Sequence, residues 1–273
     1  MAVAASPFGV NTYSYMYAMS AADCLGHLMK EGYRSFELMM FPGHLWPSEL
    51  SPAERKALRR FADGEEIRIS ALNQPNMDLN LAGATPEMRA YTLALMQGGL
   101  ELAADLGAPA LVIGPGKPNG LLPLPREMTL GWFHDGLKTL SARGRELGVE
   151  LLVENMPMSI LPRAADLMTA LAEHGDDEIG IAYDIANAAF LQEDLAESLA
   201  LLKPRLKAVH LSDTRADVPE HRAFDTPHGI VPIDTLAQSI RDLELGPTLV
   251  FEIISGNPDA DLKQSAAALE RRL

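Results

Sequence analysis

Short apolar runs alternate with amphipathic stretches along the whole chain. Residues 8–13, 34–40, 67–72, 110–113, 149–154, 179–184, 206–211 and 248–252 are apolar-rich and bounded by polar, Gly or Pro positions, the pattern of buried strands. Helical patterns lie between them. Ser20 caps one that runs to Glu31 and stops at Gly32. Ser51 and Glu54 form a capping box with Pro52 at the first helical position, and that helix runs to Asp63-Gly64. Thr85-Pro86-Glu87 opens a long helix ending at Leu106-Gly107, and another runs from Thr129 to Leu147-Gly148. Further helices are expected over 163–174, 194–202, 233–243 and 259–272.

Eight strand–helix units recur at a period of roughly 30 residues, the size of a βαβ repeat. Eight units in about 250 residues is the arithmetic of an α/β (β/α)8 TIM barrel. An open doubly wound sheet usually has fewer units and often a Gly-rich first turn. Here the first turn reads Asn-Thr-Tyr-Ser-Tyr-Met. No linker or composition shift splits the chain, so a single domain over 1–273 is expected.

Side chains alternate between the two faces of a strand. In the fifth strand Leu152 and Glu154 oppose Leu151 and Val153; in the sixth, Gly180, Ala182 and Asp184 oppose Ile179, Ile181 and Tyr183. In the seventh, Ala208 and His210 oppose Val209 and Leu211; in the eighth, Thr248, Val250 and Glu252 oppose Leu249 and Phe251. The bulkier apolar residues take the face that would meet outer helices. The polar residue comes last, on the other face, at the C-terminal end where barrel active sites sit. Four consecutive strands thus aim Glu154, Asp184, His210 and Glu252 at one point. Taken singly, each is an ordinary loop, cap or ion-pair residue; four in phase are not explained that way. Three converging carboxylates need a counter-charge, which one divalent cation supplies. Oxygen-rich ligation with one imidazole suits manganese foremost, then magnesium or cobalt, with zinc also possible.

Composition narrows the partners. The charge is −14, from 37 acidic against 23 basic residues, with no long Lys/Arg run, which argues against nucleic acid. Cys24 is the only cysteine, so no intrachain disulfide can form and a reducing compartment fits. The opening Met-Ala-Val-Ala-Ala-Ser-Pro lacks a charged start and a long apolar run, and no stretch is long enough to span a bilayer. A cytoplasmic protein that binds no membrane is the expectation.

The stretches Leu-Leu-Val-Glu-Asn (151–155), Ile-Ala-Tyr-Asp-Ile-Ala-Asn (181–187), Val-His-Leu-Ser-Asp (209–213), His-Gly-Ile-Val-Pro-Ile-Asp (228–234) and Val-Phe-Glu (250–252) resemble the xylose isomerase-like TIM barrels. That group includes ketose 3-epimerases, hydroxypyruvate isomerase and inosose dehydratase. The run Leu-Ala-Ala-Asp-Leu-Gly-Ala-Pro (102–109) is similar too, so the likeness covers essentially the whole chain. The resemblance implies that Glu154, Asp184, His210 and Glu252 hold the metal and that Glu154 and Glu252 also transfer protons. It implies an isomerase or epimerase acting on a small polyhydroxylated carbonyl compound through an enediolate. A lyase or dehydratase on a keto-sugar, keto-glycoside or cyclitol is the alternative. It also makes a homo-oligomer an expectation.

One position departs from the pattern. Many of the epimerases carry a substrate-touching His three residues after the strand-six Asp, where this chain has Asn187. Asparagine can hydrogen-bond a hydroxyl but carries no charge. An endonuclease IV-like activity would need more histidines than the seven present and a basic groove; a degenerate, non-enzymatic barrel would be expected to have lost some of the four ligands.

Other candidates surround this set. Glu37 points inward by parity, to bind substrate or brace a ligand, or else to pair with Arg68. His44 and Trp46 follow strand two and are candidates for a lid, with Trp46 stacking on a sugar. Asp213 and Arg215, after strand seven, stand where the family often places substrate-binding groups. Lys117 could meet an anionic group, although Gly-Pro-Gly-Lys-Pro lacks the spacing of a phosphate loop. His228 is a candidate to reach the site, His221 is expected to be exposed, and His27, His134 and His174 are expected to be structural.

Overall fold

The computed structural model describes residues 6–74, 78–245 and 249–273. The first five residues of the opening segment, and Thr248 of the strand-eight pattern, lie outside the described residues. Eight parallel strands, β1 (Gly9–Asn11), β2 (Ser35–Met39), β3 (Arg68–Asn73), β4 (Ala110–Ile113), β5 (Glu150–Glu154), β6 (Gly180–Asp184), β7 (Leu206–Leu211) and β8 (Leu249–Phe251), close into a barrel in sequence order. β1 pairs with β8 through Gly9↔Val250 and Val10↔Phe251, which completes the ring.

Helices α1 (Ala21–Lys30), α2 (Pro52–Gly64), α3 (Pro86–Leu106), α4 (Arg126–Leu147), α5 (Ala164–His174), α6 (Ile185–Phe190), α7 (Leu195–Leu202), α8 (Ile233–Asp242) and α9 (Pro258–Glu270) connect and surround the strands. Their ends follow local chemistry. Ser20 and Thr85 accept N–H bonds from Asp23 and Met88, and Ser51 and Glu54 complete the capping box. Gly107 ends α3 in the left-handed conformation at φ 73°, which a side chain would strain.

Strand parity holds at the strand ends that carry the site, while register shifts opposite Phe36/Glu37 and Ile181/Ala182 put Ile69 and Leu206 with the outer core although they share parity with Ala71 and Ala208. Ala71, Ala110, Val112, Leu152, Ala182 and Ala208 fill the barrel interior, while Leu151, Val153, Ile181, Tyr183, Val209 and Phe251 join the core between strands and helices. The interior is made of small residues, and its C-terminal end is left to polar ones.

Three local features differ from the sequence reading. β1 stops at Asn11 rather than 13, because Asn11 Oδ1 accepts the Tyr13 N–H and turns the chain into a 3-10 turn over Tyr13–Tyr15. α4 starts at Arg126, ahead of its first apolar residue, with the Pro125 carbonyl accepting from Met128 and Thr129. The short helix α6 begins directly after β6 because Asp184 caps it. Among the described residues no helix is long and apolar enough to cross a membrane.

Candidate metal centre

His210 stands at the middle of the site, fully buried near the end of β7. Its Nδ1 lies 3.0 Å from Glu154 Oε1 and 2.8 Å from Glu252 Oε2. Its Nε2 lies 3.1 Å from Glu37 Oε2. Glu37 is held in turn, since its Oε1 accepts from Asn11 Nδ2 at 2.7 Å and Asn73 Nδ2 at 2.8 Å. Glu37 is thus held against one imidazole by neighbouring strand ends. It braces a site residue, and Arg68 is exposed and is not its partner.

Asp184 reaches the same point from β6. Its Oδ1 accepts the Asn187 N–H at 2.6 Å, the N-terminal cap of α6. Its backbone is clasped by Asn155, whose Oδ1 accepts the Asp184 N–H at 2.7 Å and whose Nδ2 donates to the Asp184 carbonyl at 2.9 Å. Asn187 Nδ2 donates to the Asn155 carbonyl at 3.0 Å, so this amide ties strand ends together.

Two buried oxygens are left over. Asp184 Oδ2 and Glu252 Oε2 have no hydrogen bond among the described residues. The first lies 3.4 Å from His221 Nδ1 and the second 2.8 Å from His210 Nδ1, but neither contact is aligned as a hydrogen bond. Unsatisfied buried carboxylate oxygens are costly unless a cation meets them. One ligand atom from each of Glu154, Asp184, His210 and Glu252 lies within 4.8 Å of the others. Oxygen donors on opposite sides of a hard divalent ion are roughly 4–5 Å apart, so the set fits such an ion. These four residues could hold it.

The charges are strongly coupled. Burial pushes the Glu154 carboxyl up to about 7, helped by Glu252 and Asp184 and opposed by His210. Burial also works against a charged His210, but Glu37, Glu252 and Glu154 outweigh it and hold the imidazolium well above its ordinary range. Burial would raise Glu37 and Asp184 as well. His210 with the two asparagine amides keeps Glu37 low; His221, His210 and the Asn187 N–H keep Asp184 low.

His221 corrects the expectation of exposure. The long loop after β7 returns it to the site, with Ser212 Oγ 3.2 Å from its Nδ1. Burial opposes its charge, yet Asp184, then Glu252 and Glu154, lift it to about 9. A bridge between Asp213 and Arg222, and the Ile254 N–H donated to the His221 carbonyl at 2.7 Å, set this return. No period in the sequence marks such a bond.

Several other candidates stand elsewhere. Asp213 is a loop clamp, since its Oδ1 accepts from Thr214, Ile230 and Val231 at 2.8, 3.0 and 2.9 Å. Arg215 pairs with Glu220 at 3.0 Å and, with exposed His228, lines a different cavity near Asp217 and Gly229. His44 is buried rather than part of a lid, with Nε2 2.9 Å from Thr12 Oγ1 and Nδ1 2.6 Å from the Met19 carbonyl. Lys117 sits in the loop after β4, which Asn80 holds by accepting its N–H and donating to its carbonyl. Of the structural histidines, His27 meets Asp259, while His134 meets the Ala170 carbonyl and stacks near His174.

Trp46 lines a cavity of about 370 Å3 with Tyr13, Phe41, Gln74 and Tyr91. Burial first, then the charge of Glu252, raises the Tyr13 hydroxyl's pKa, which places Tyr13 within the field of the carboxylate cluster. Tyr13, Gln74, Asn11, Asn73 and Asn155 are site neighbours that the sequence reading did not single out. Their one signal is position, at a strand end or just beyond it.

The chain shares its fold with several solved structures. A D-tagatose 3-epimerase-like protein superposes with a TM-score of 0.81 at 20% identity, over 97% of this chain and 99% of that one. L-ribulose 3-epimerase gives 0.80 at 16% identity, over 98% and 95%. The protein IolI, which has a bound zinc atom, gives 0.79 at 14% identity, over 97% and 96%. An uncharacterized protein of Methanocaldococcus jannaschii is 24% identical over 221 residues, 78% of this chain and 73% of its own. The xylose isomerase-like TIM barrel family matches residues 27–272, and the chain belongs to that family.

Proposed function

We propose that the protein is a divalent-metal-dependent isomerase or epimerase acting on a small polyhydroxylated carbonyl compound, and that the chain works as one domain. The observation that carries this reading is the pairing of Glu154 and Glu252 about His210 Nδ1, beside the unsatisfied Asp184 Oδ2. The sugar epimerases among the structural neighbours support it.

A divalent ion, when bound, polarises a carbonyl and its adjacent hydroxyl and so acidifies the C–H between them. Manganese best matches three carboxylates and one imidazole, and the zinc in IolI supports a divalent ion at such a site. The chain's own groups do the rest. One glutamate accepts the proton and leaves an enediolate. The other returns a proton, to the opposite face for an epimer or to the neighbouring carbon for an isomer.

Asn187 supports a second reading. One of its two side-chain N–H donors goes to the Asn155 carbonyl, and an amide supplies no acid, base or charge where many of the epimerases use His. Loss of a β-hydroxyl from the same enediolate would make the enzyme a lyase. Elemental analysis should find about one divalent ion per chain, and none after reconstitution would sink the metal site. Incubation with a ketose panel in D2O separates the chemistries. Exchange without water loss fits isomerase or epimerase, water loss fits the lyase, and no exchange from any compound removes both.

A further inference from the structure

Gln74 is fully buried, and neither Nε2 nor Oε1 has a hydrogen-bond partner among the described residues. Its backbone is fixed, the N–H donating to the Val112 carbonyl at 3.1 Å. A buried amide with two donors and an acceptor unmet is a liability in a finished core. Here the amide lines the 370 Å3 cavity that also holds Tyr13, Tyr17, Phe41, Trp46 and Tyr91. That volume falls near the lower end of small-molecule sites, roughly 300–1,000 Å3.

The cavity adjoins the carboxylate–histidine cluster by construction. Gln74 directly follows Asn73, and Asn73 Nδ2 holds Glu37. Tyr13 lies two residues past Asn11, which holds the same carboxylate and also accepts the Tyr13 N–H. Two lining residues, Gln74 and Tyr13, are thus chain neighbours of the asparagines that hold Glu37. Its upper wall is aromatic, with Tyr17 and Phe41 edge-to-face at 4.9 Å and the Tyr17 and Tyr91 rings largely exposed at the rim.

Aromatic faces take the C–H face of a sugar ring, and an amide takes a hydroxyl by accepting its proton or donating to its oxygen. We propose that this cavity binds a polyhydroxylated six-membered ring, with one ring hydroxyl on the Gln74 amide and the ring's apolar face against Trp46. Placing the reacting carbonyl next door rests on the function proposed above; binding of the ring does not. Gln74 then fixes one hydroxyl, and the aromatic wall selects a ring-bearing substrate over a short acyclic ketose.

The test uses metal-loaded protein carrying Trp132→Phe, so that Trp46 is the remaining tryptophan. Phenyl β-glucopyranoside is titrated against it while tryptophan fluorescence is followed, with and without Gln74→Met. Saturable quenching weakened at least 10-fold by Gln74→Met is expected. No saturable quenching, or equal affinity in the two proteins, overturns the proposal. Equal affinity for the acyclic polyol glucitol overturns the ring preference. In parallel, proton exchange of a ketose panel that includes dihydroxyacetone is followed in D2O with the Trp132→Phe protein, which reads the metal-centred chemistry separately from ring binding. Ring binding without exchange of any ketose would remove the isomerase reading and keep the subsite. Exchange without ring binding would do the reverse.

Discussion

Glu37 Oε2 lies 3.1 Å from His210 Nε2, on the side of the ring away from Glu154 and Glu252. In the neutral imidazole this contact places the proton on Nε2 and leaves the Nδ1 lone pair for a cation. Glu37→Gln keeps the shape but weakens the preference for that tautomer. It should lower manganese affinity about 10–100-fold, the usual range for such supporting partners. A metal titration by calorimetry checks this, and unchanged affinity would show that the contact does not orient the ligand.

Glu154→Gln and Glu252→Gln should each cut turnover by about 10^2–10^4, the range of general acid–base catalysis. Metal content and rate must be measured on the same samples. If both variants hold metal and keep full turnover, the proton-transfer roles are wrong.

The metal-free protein should lose stability as pH rises. The Glu154 carboxyl sits at about 7 against an ordinary 4.5, so folding favours its protonated form and that contribution fades between those values. His221 sits at about 9 against 6.5; its contribution is complete below 6.5 and fades as pH approaches 9. Metal binding must displace the protons on the ligands Glu154 and His210, and so it strengthens with pH. Melting temperatures with manganese and with chelator should therefore diverge from about pH 5 to 9. A gap that narrows with rising pH would contradict this assignment of charges.

Asp213→Ala removes one acceptor from three backbone N–H groups in the loop after β7. A loss of about 2–4 kcal/mol is expected from charge-assisted hydrogen bonds of this kind. His228→Ala, at an exposed position, should stay within about 0.5 kcal/mol. Urea midpoints compare the two, and equal midpoints would refute the clamp.

The barrel and the four central side chains were legible because strands have a strict two-residue period. Ala182 and Asp184 must share a face, as must Ala208 and His210, and the structure puts these alanines inside. α6 was hidden because Ile-Ala-Asn-Ala-Ala-Phe is too short for a helical period to emerge. The rim was hidden for another reason. Whether Asp213 reaches substrate or clamps its own loop depends on where Ile230 and Val231 return, and His221 depends on bonds to Ile254 and through Arg222. Loop closure of this kind has no period. Gln74 escaped notice because it stands past the end of the strand-three pattern, and Tyr13 because it closes the strand-one pattern with no carboxylate or imidazole to mark it.

Asn155 has a consequence for how the molecule tolerates change. The last pair between β5 and β6 is Glu154↔Ala182, yet Asp184 still finds both of its backbone groups met on that side, by one asparagine amide. That amide stands in for a further peptide group and carries the ladder one step beyond the strand. The main chain after Asn155 is thereby released from sheet duty. Ile160 and Leu161 anchor the following segment in the core, so the short tip over 156–158 is the part of this edge of the mouth that can vary while Asp184 keeps its seat.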